Sequence, residues 1–353
     1  SRRNLELVET MREKKKNGSL LGVLDKTNTA MGARMLRGFL EQPLVNKERI
    51  INRQEAVAEL FDRYIDREEL REYLNPIYDL ERLMSRVVTK NANTRDLLSL
   101  SASMKMISPI KEVLKTFESK EIKKTNDNLD RLEDIIDIID RAINEDSPLS
   151  LKEGNIINTG YNSEIDKLRQ AKTEGKNWLA SLESEEKEKT GIKNLKVKFN
   201  KVFGYYFEVT NSFKDMVPDY FIRKQTLTNA ERYTTDKLKD LENIILGAED
   251  KLNSLEYEVF VEIRDEIAKN VNRIQSSAKA VAYIDAICSL ATVAYNNNYV
   301  KPEINTTGII DIKDGRHPVV ETMLNDDSFI ANDTYLDQNK KRMSIITGPN
   351  MAG

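Results

Sequence analysis

The chain has 353 residues, enough for two or three domains, with 32% charged and 7% aromatic residues and a formal net charge of −3. Lys and Arg number 55 against 58 Asp and Glu, so any attraction for nucleic acid must be local rather than chain-wide. One Cys, Cys288, and one His, His317, exclude a disulfide framework, a zinc site built from several Cys or His, and any catalysis that needs two histidines.

No run of about 18 apolar residues occurs and the basic start "SRRNLELVETMREKKK" lacks an apolar core, which predicts a cytoplasmic chain without a membrane segment. Residues 1–150 predict a succession of packed helices with no catalytic constellation. Thr29 is a candidate cap for a helix that carries Met31, Met35, Leu36 and Phe39 on one face and stops before Pro43. Asn46 is a candidate cap for the next, with Ile50, Val57 and Leu60 at helical spacing. "YDLERLMSRVV" and "TRDLLSLSASMKMI" continue the pattern, the latter up to Pro109, and Leu132, Ile135, Ile136 and Ile139 form another stripe.

Pro148, Gly154 and Gly160 crowd together and mark a domain junction. A charged helix is expected from Ser163 to Lys189, with Trp178 packed on a neighbour and the carboxylates of "ESEEKEK" solvated. The period then changes to two, with Val197 and Phe199 alternating with Lys196 and Lys198, and a turn near Gly204 leads into the strand "YYFEVT". This hairpin region is locally basic. Between Gly191 and Thr235 there are 8 Lys or Arg and 4 Asp or Glu, a balance of 8 − 4 = +4. Two readings stand: a solvated face that keeps a small sheet soluble, or a tip that neutralises phosphates through its lysines, with Asn200 or a tyrosine hydroxyl donating to phosphate oxygens.

From Asp236 to Asn296 there is no proline and one glycine, and apolar residues from Leu238 to Val281 step by three and four. That predicts one very long helix, ~50 residues or about 75 Å, with an antiparallel helical partner across the hairpin insertion. Cys288 falls on its apolar side. After Pro302 a third, β-like unit begins with "GIIDIKDGRHPVVE" and "SFIAND", and Met343–Thr347 reads as a buried strand. His317 is expected to be a hydrogen-bonded structural residue. Gly348 and Gly353 have the spacing of a phosphate-binding loop after that strand, though two glycines alone favour a simple strand-to-turn reading. The Lys and Ser/Thr of that pattern would follow Gly353, so the chain as it stands is expected to be no enzyme.

Taken together, "GSLLGVLDKTNTAMGARMLRGFLEQPL", "DLERLMSRV", "FNKVFGYYFEVT" with "QTLTNAERYTT", and "GRHPVVE", "FIAND", "ITGPNMAG" in that order resemble the MutS family of DNA mismatch repair proteins along essentially the whole chain. The resemblance implies a mainly α fold with a small inserted β region: a helical core with the ascending lever (1–150), a β-containing clamp (151–235), a descending lever helix and core (236–300), and the truncated start of an α/β ATPase domain (301–353). It implies no counterpart here of the family's mismatch-reading domain.

By the same resemblance Asn200, Lys201 and, as a neighbour, Lys198 match the clamp region that touches the DNA backbone. Phe329 and Ile330 match residues that hold an adenine ring, and Gly348, Pro349, Asn350, Met351, Ala352 and Gly353 match the start of the phosphate loop. The longer protein would use ATP and Mg, bind mismatched double-stranded DNA, work as a homodimer and meet a MutL-type partner, whereas this chain would hold no nucleotide, metal or membrane and grip the DNA backbone without reading sequence. The alternative is a coiled-coil strut of a chromosome-organising ATPase, which would place the phosphate loop before its first helical arm rather than after the second.

Overall fold

The computed structural model describes residues 4–324 and 329–346. In chain order the elements are α1 (Leu20–Leu24), α2 (Ala30–Glu41), α3 (Lys47–Asp62), α4 (Tyr64–Leu74), α5 (Leu80–Val88), α6 (Thr94–Lys105), α7 (Ile107–Leu114), α8 (Lys120–Asp127) and α9 (Glu133–Ala142). Then follow α10 (Ser163–Thr190), β1 (Lys196–Asn200), β2 (Gly204–Thr210), β3 (Ile222–Thr226), β4 (Ala230–Thr234), α11 (Asp236–Lys269) and α12 (Val271–Asn296). A two-stranded sheet, β5 (Ile310–Gly315) and β6 (Asn332–Leu336), with the short α13 (Pro318–Met323) between its strands, ends the described part. The fold is mainly α with a small antiparallel β region. Contacts divide the chain into two units, residues 1–91, 99–136 and 267–353 in the first and 92–98 with 137–266 in the second.

The first unit is organised around α12. Its residues Ile274, Ala278, Val281, Ile284, Ile287 and Cys288 are wholly buried, and α2, α3, α4, α5 and α8 pack against it. By length and composition α12 could cross a membrane, but 72% of its most apolar window is buried inside the protein, the position of a core helix.

Four of its polar residues, Arg273, Ser277, Asp285 and Ser289, lie at multiples of four positions, with the apolar Val281 between them. Arg273 donates to Asp130 (2.7 Å) and Asp134 (2.7 and 3.0 Å), and Ser277 Oγ accepts the Asp130 amide (3.0 Å). Asp285 accepts the amides of Asn28 (2.9 Å) and Thr29 (2.7 Å) and the Thr29 hydroxyl (2.7 Å). Ser289 Oγ accepts the Lys26 amide and donates to the Leu24 carbonyl, both at 2.7 Å.

Thr29 itself caps α2 through Gly32 N–H (2.9 Å), and Asn46 caps α3 through Arg49 N–H (3.0 Å), as the sequence predicts. Gly32 faces Asp285 so closely that a side-chain carbon has no room there. Burial pushes the Asp285 carboxyl above the usual carboxylate range, and the hydrogen bonds from Asn28 and Thr29 only partly offset this.

In the second unit α10 and α11 run antiparallel. Arg169 bonds Glu256, Lys172 bonds Glu249 (2.8 Å), Gly175 meets Ile245 and Lys237 bonds Glu185 (3.0 Å), so partner numbers fall on one helix as they rise on the other. α11 has 34 residues, about 51 Å. At the foot of the pair Glu256, fully buried, accepts the Ile156 amide (3.2 Å) and the Arg169 guanidinium.

Several expectations need correction. The helix predicted to run unbroken to Asn296 breaks at Asn270, whose amide turns back to the Ile267 carbonyl (3.0 Å) while its side-chain oxygen accepts from Arg273 (3.0 Å). Asparagine competes in this way with the helical ladder. Pro109 does not end a helix but sits in the first turn of α7, where its missing N–H costs nothing. Trp178, expected to pack on a neighbour, is 44% exposed. Glu186, expected in solvent, is 2% exposed and accepts the Tyr220 hydroxyl (2.7 Å). Met343–Ile346 form no strand and are exposed, because no described strand lies alongside to take their hydrogen bonds; Thr347 falls outside the described residues.

Asp285→Ala strands two amides and a hydroxyl in the core, and the expected loss is about 3–5 kcal/mol of unfolding free energy in a urea titration. A second expectation concerns pH. Arg34 donates to Asp79 (2.7 and 2.9 Å) and holds its carboxyl below the usual range. A carboxyl lowered on folding stabilises above its unfolded value of 3.8 and loses that contribution as pH falls through the folded value. Arg34→Met is therefore expected to be less stable than the parent at pH 7, with the difference closing below about pH 4 in paired denaturation curves.

Candidate nucleic-acid interface

The second unit carries a four-stranded antiparallel sheet of order β1-β2-β4-β3. Register places Val197, Phe199, Tyr205, Phe207, Val209 and Tyr233 on one face. Phe207, Val209 and Tyr233 are buried there against Leu179 and Leu182 of α10 and Leu238 and Ile245 of α11. Burial and the neighbouring Glu231 carboxylate push the Tyr233 hydroxyl up to about 12. Glu231 shares this face, 2% exposed, and is held ionised by Lys214 (2.8 Å) and then by the Tyr233 hydroxyl.

The opposite face is charged. Lys196, Lys198, Tyr206, Glu208, Gln225 and Arg232 alternate out from the core side. Lys198 donates to Glu208 (2.7 Å), an exchange that raises the lysine's affinity for its proton. Arg232 lies over the Tyr206 ring, 4.4 Å from its centroid, and donates to Gln225 (2.7 Å). Three cations therefore answer one carboxylate on this face.

At the end of β1 the chain turns through Lys201, Val202 and Phe203, with Asn200 paired to Gly204. The Asn200 carboxamide oxygen accepts the amides of Val202 (2.8 Å) and Phe203 (3.4 Å), fixing the turn. Gly204 has φ +71°, the left-handed conformation that closes a three-residue hairpin loop. Val202 is 81% exposed at the tip. Lys201 is exposed too and, among the described residues, makes no ion pair.

The structure thus brings Lys198, Asn200 and Lys201 to one hairpin end, with different employments. Lys201 presents a free charge, Lys198 a charge shared with Glu208, and Asn200 an oxygen turned inward, its amide nitrogen alone left to donate. Reading by residue type counts Arg232 and Lys224 among the basic residues but misses β3 and β4, and with them where these two side chains point. The available signal was Thr228–Asn229 between Thr- and Tyr-bearing runs, where Leu227 N–H closes on the Ala230 carbonyl (2.8 Å).

Of the expected nucleotide residues only Phe329 and Ile330 fall within the described residues. Phe329 is half-buried, Ile330 is 80% exposed, and both precede β6 in an irregular segment. Gly348, Pro349, Asn350, Met351, Ala352 and Gly353 lie outside the described residues. His317 accepts the Val320 amide at Nδ1 (3.2 Å) and caps α13, the structural role its lone position suggests.

The family profile MutS domain III matches residues 1–291. Among curated proteins the chain is similar along its whole length to proteins named DNA mismatch repair protein MutS. It is 62% identical to that of Lachnoclostridium phytofermentans over 353 residues, which cover 38% of that protein. It is 53% identical to that of Acetivibrio thermocellus and 54% to that of Ruminiclostridium cellulolyticum, covering 41% and 40% of them. The chain spans about two fifths of the length of the curated relatives it matches.

Proposed function

The chain belongs to the MutS family, and from that premise we propose that its second unit is a sequence-independent grip on the DNA backbone within a mismatch repair protein. The observation that carries this reading is the β1–β2 turn, which holds Lys201 exposed and, among the described residues, without a counter-ion at the end of a sheet whose charged face bears Lys196, Lys198 and Arg232. A lysine already paired with a carboxylate gains little from a phosphate, whereas an unpaired one releases a condensed counter-ion on contact. The residues at the turn have neither the shape nor the paired donors and acceptors for reading base edges, so the contact is to phosphate and sugar.

The two-helix stalk of α10 and α11 gives this grip a stiff mount, and in the longer relatives it is proposed to act as a lever. On the same premise the longer protein is proposed to dimerise on mismatched double-stranded DNA, to meet a MutL-type partner in the cytoplasm, and to use ATP and Mg, with Phe329, Ile330 and the Gly348–Gly353 loop contacting the nucleotide. The chain itself is proposed to have no catalytic activity. Membership of the MutS family removes the chromosome-organising strut.

Fluorescence anisotropy with matched and mismatched duplexes over a salt series tests the grip. Equal, weak binding to both is expected, strengthening as salt falls. Lys201→Ala is expected to lower the slope of log K against log salt by about 0.9, the contribution of one phosphate contact. Binding that prefers the mismatch, or a Lys201→Ala variant with the parent's slope, would sink this reading.

A further inference from the structure

We infer that Lys224 is a positioning residue for the β1–β2 turn, fixing it against α11 without itself meeting the DNA. This deepens the proposed grip and rests on that reading for its effect on DNA, though not for its effect on the turn. Between β3 and β4 the register jumps: Arg223 faces Tyr233 and Gln225 faces Arg232, so Lys224 is the extra residue of a bulge. A bulge re-aims the side chain it extrudes.

Here it aims Lys224 from the strand at the far edge of the sheet to the turn beyond β1. The Lys224 ammonium donates to the Phe203 carbonyl (2.9 Å), inside the turn, and stands 3.9 Å from the Glu242 carboxylate of α11. Its side chain is 25% exposed and that of Glu242 16%.

Gly204 completes the arrangement. The Glu242 carboxylate occupies the space where a side-chain carbon on Gly204 would stand, so the turn can press against α11 only with glycine there. Three groups on three elements thus converge: a carbonyl in the turn, an ammonium from the edge strand and a carboxylate from the helix. The ammonium satisfies the carbonyl and balances the carboxylate, which would otherwise repel phosphate close to Lys201. Lys224 is therefore a basic residue in a basic segment whose charge is spent inward.

The test uses the whole 353-residue chain and separates this role from a phosphate contact. Lys224→Met is expected to speed amide exchange at Lys201–Gly204 about tenfold, as loss of one charge-assisted hydrogen bond should. DNA affinity should fall while the salt slope keeps the parent's value, and Lys224→Arg, whose guanidinium can reach both partners, should restore both readouts. Glu242→Gln keeps the shape and removes the charge; it should move exchange in the same direction and serves if Lys224→Met does not fold.

A salt slope lowered by about 0.9 in Lys224→Met would make Lys224 a phosphate contact and overturn the inference. Unchanged amide exchange would overturn it as well. Faster exchange in a chain whose parent form binds no DNA would leave the positioning role standing and sink the grip instead.

Discussion

A helix buried on nearly every side can carry polar groups only where something answers them. α12 is such a helix, and Asp285 is its most demanding residue, a wholly buried carboxylate to which, among the described residues, no cation is bonded. What answers it is the exposed end of a helix dipole: the first amides before α2 and the Thr29 hydroxyl. The contact satisfies donors that a helix start always leaves open and an acceptor that burial would otherwise penalise, so each side removes the other's cost. Ser289, one turn on, holds the Leu24–Lys26 strand of chain by the same logic, and Ser277 and Arg273, toward the other end, hold the segment around Asp130. The order of the first unit follows from this stripe.

The second unit is governed by a different division, between the two faces of one small sheet. Apolar residues at alternate positions seat the sheet on α10 and α11, and that leaves the intervening positions to solvent. The charges on the outer face are therefore a by-product of register as much as a device. What distinguishes the hairpin end is the bookkeeping of counter-ions: carboxylates stand beside Lys198, Lys214 and Lys224 but not beside Lys201. A basic count for the segment cannot express this, because it weighs a satisfied lysine and a free one alike.

That limit recurs in what the sequence made legible. Thr29 and Asn46 were readable as caps because capping is decided within four residues, and the β1–β2 hairpin was readable because alternation and a turn glycine are local too. The break at Asn270 was not, since the apolar stripe continues through it and the interruption lies in the turn of the Asn270 amide to the Ile267 carbonyl and its side chain's bond to Arg273. Glu186 lies outside the environment a charged helix pattern suggests, because that pattern does not tell which face meets Tyr220. Arg232 and Lys224 were legible only as basic residues; their orientations depend on strand order and on a bulge, which arise from pairings between distant segments.

The meeting of Gly175 with Ile245 has a consequence for the stalk as a measuring device. A side-chain carbon on Gly175 would lie 2.6 Å from Ile245, so the helices touch there only because the glycine leaves a notch. Sliding one helix by about a heptad would bring Ile245 opposite Leu168 or Leu182, where no notch exists. Two helices of this kind have one setting, like a rule with a single graduation. The distance from Glu256 at the foot of the stalk to the sheet at its head is then a fixed length, written into the chain by one missing side chain.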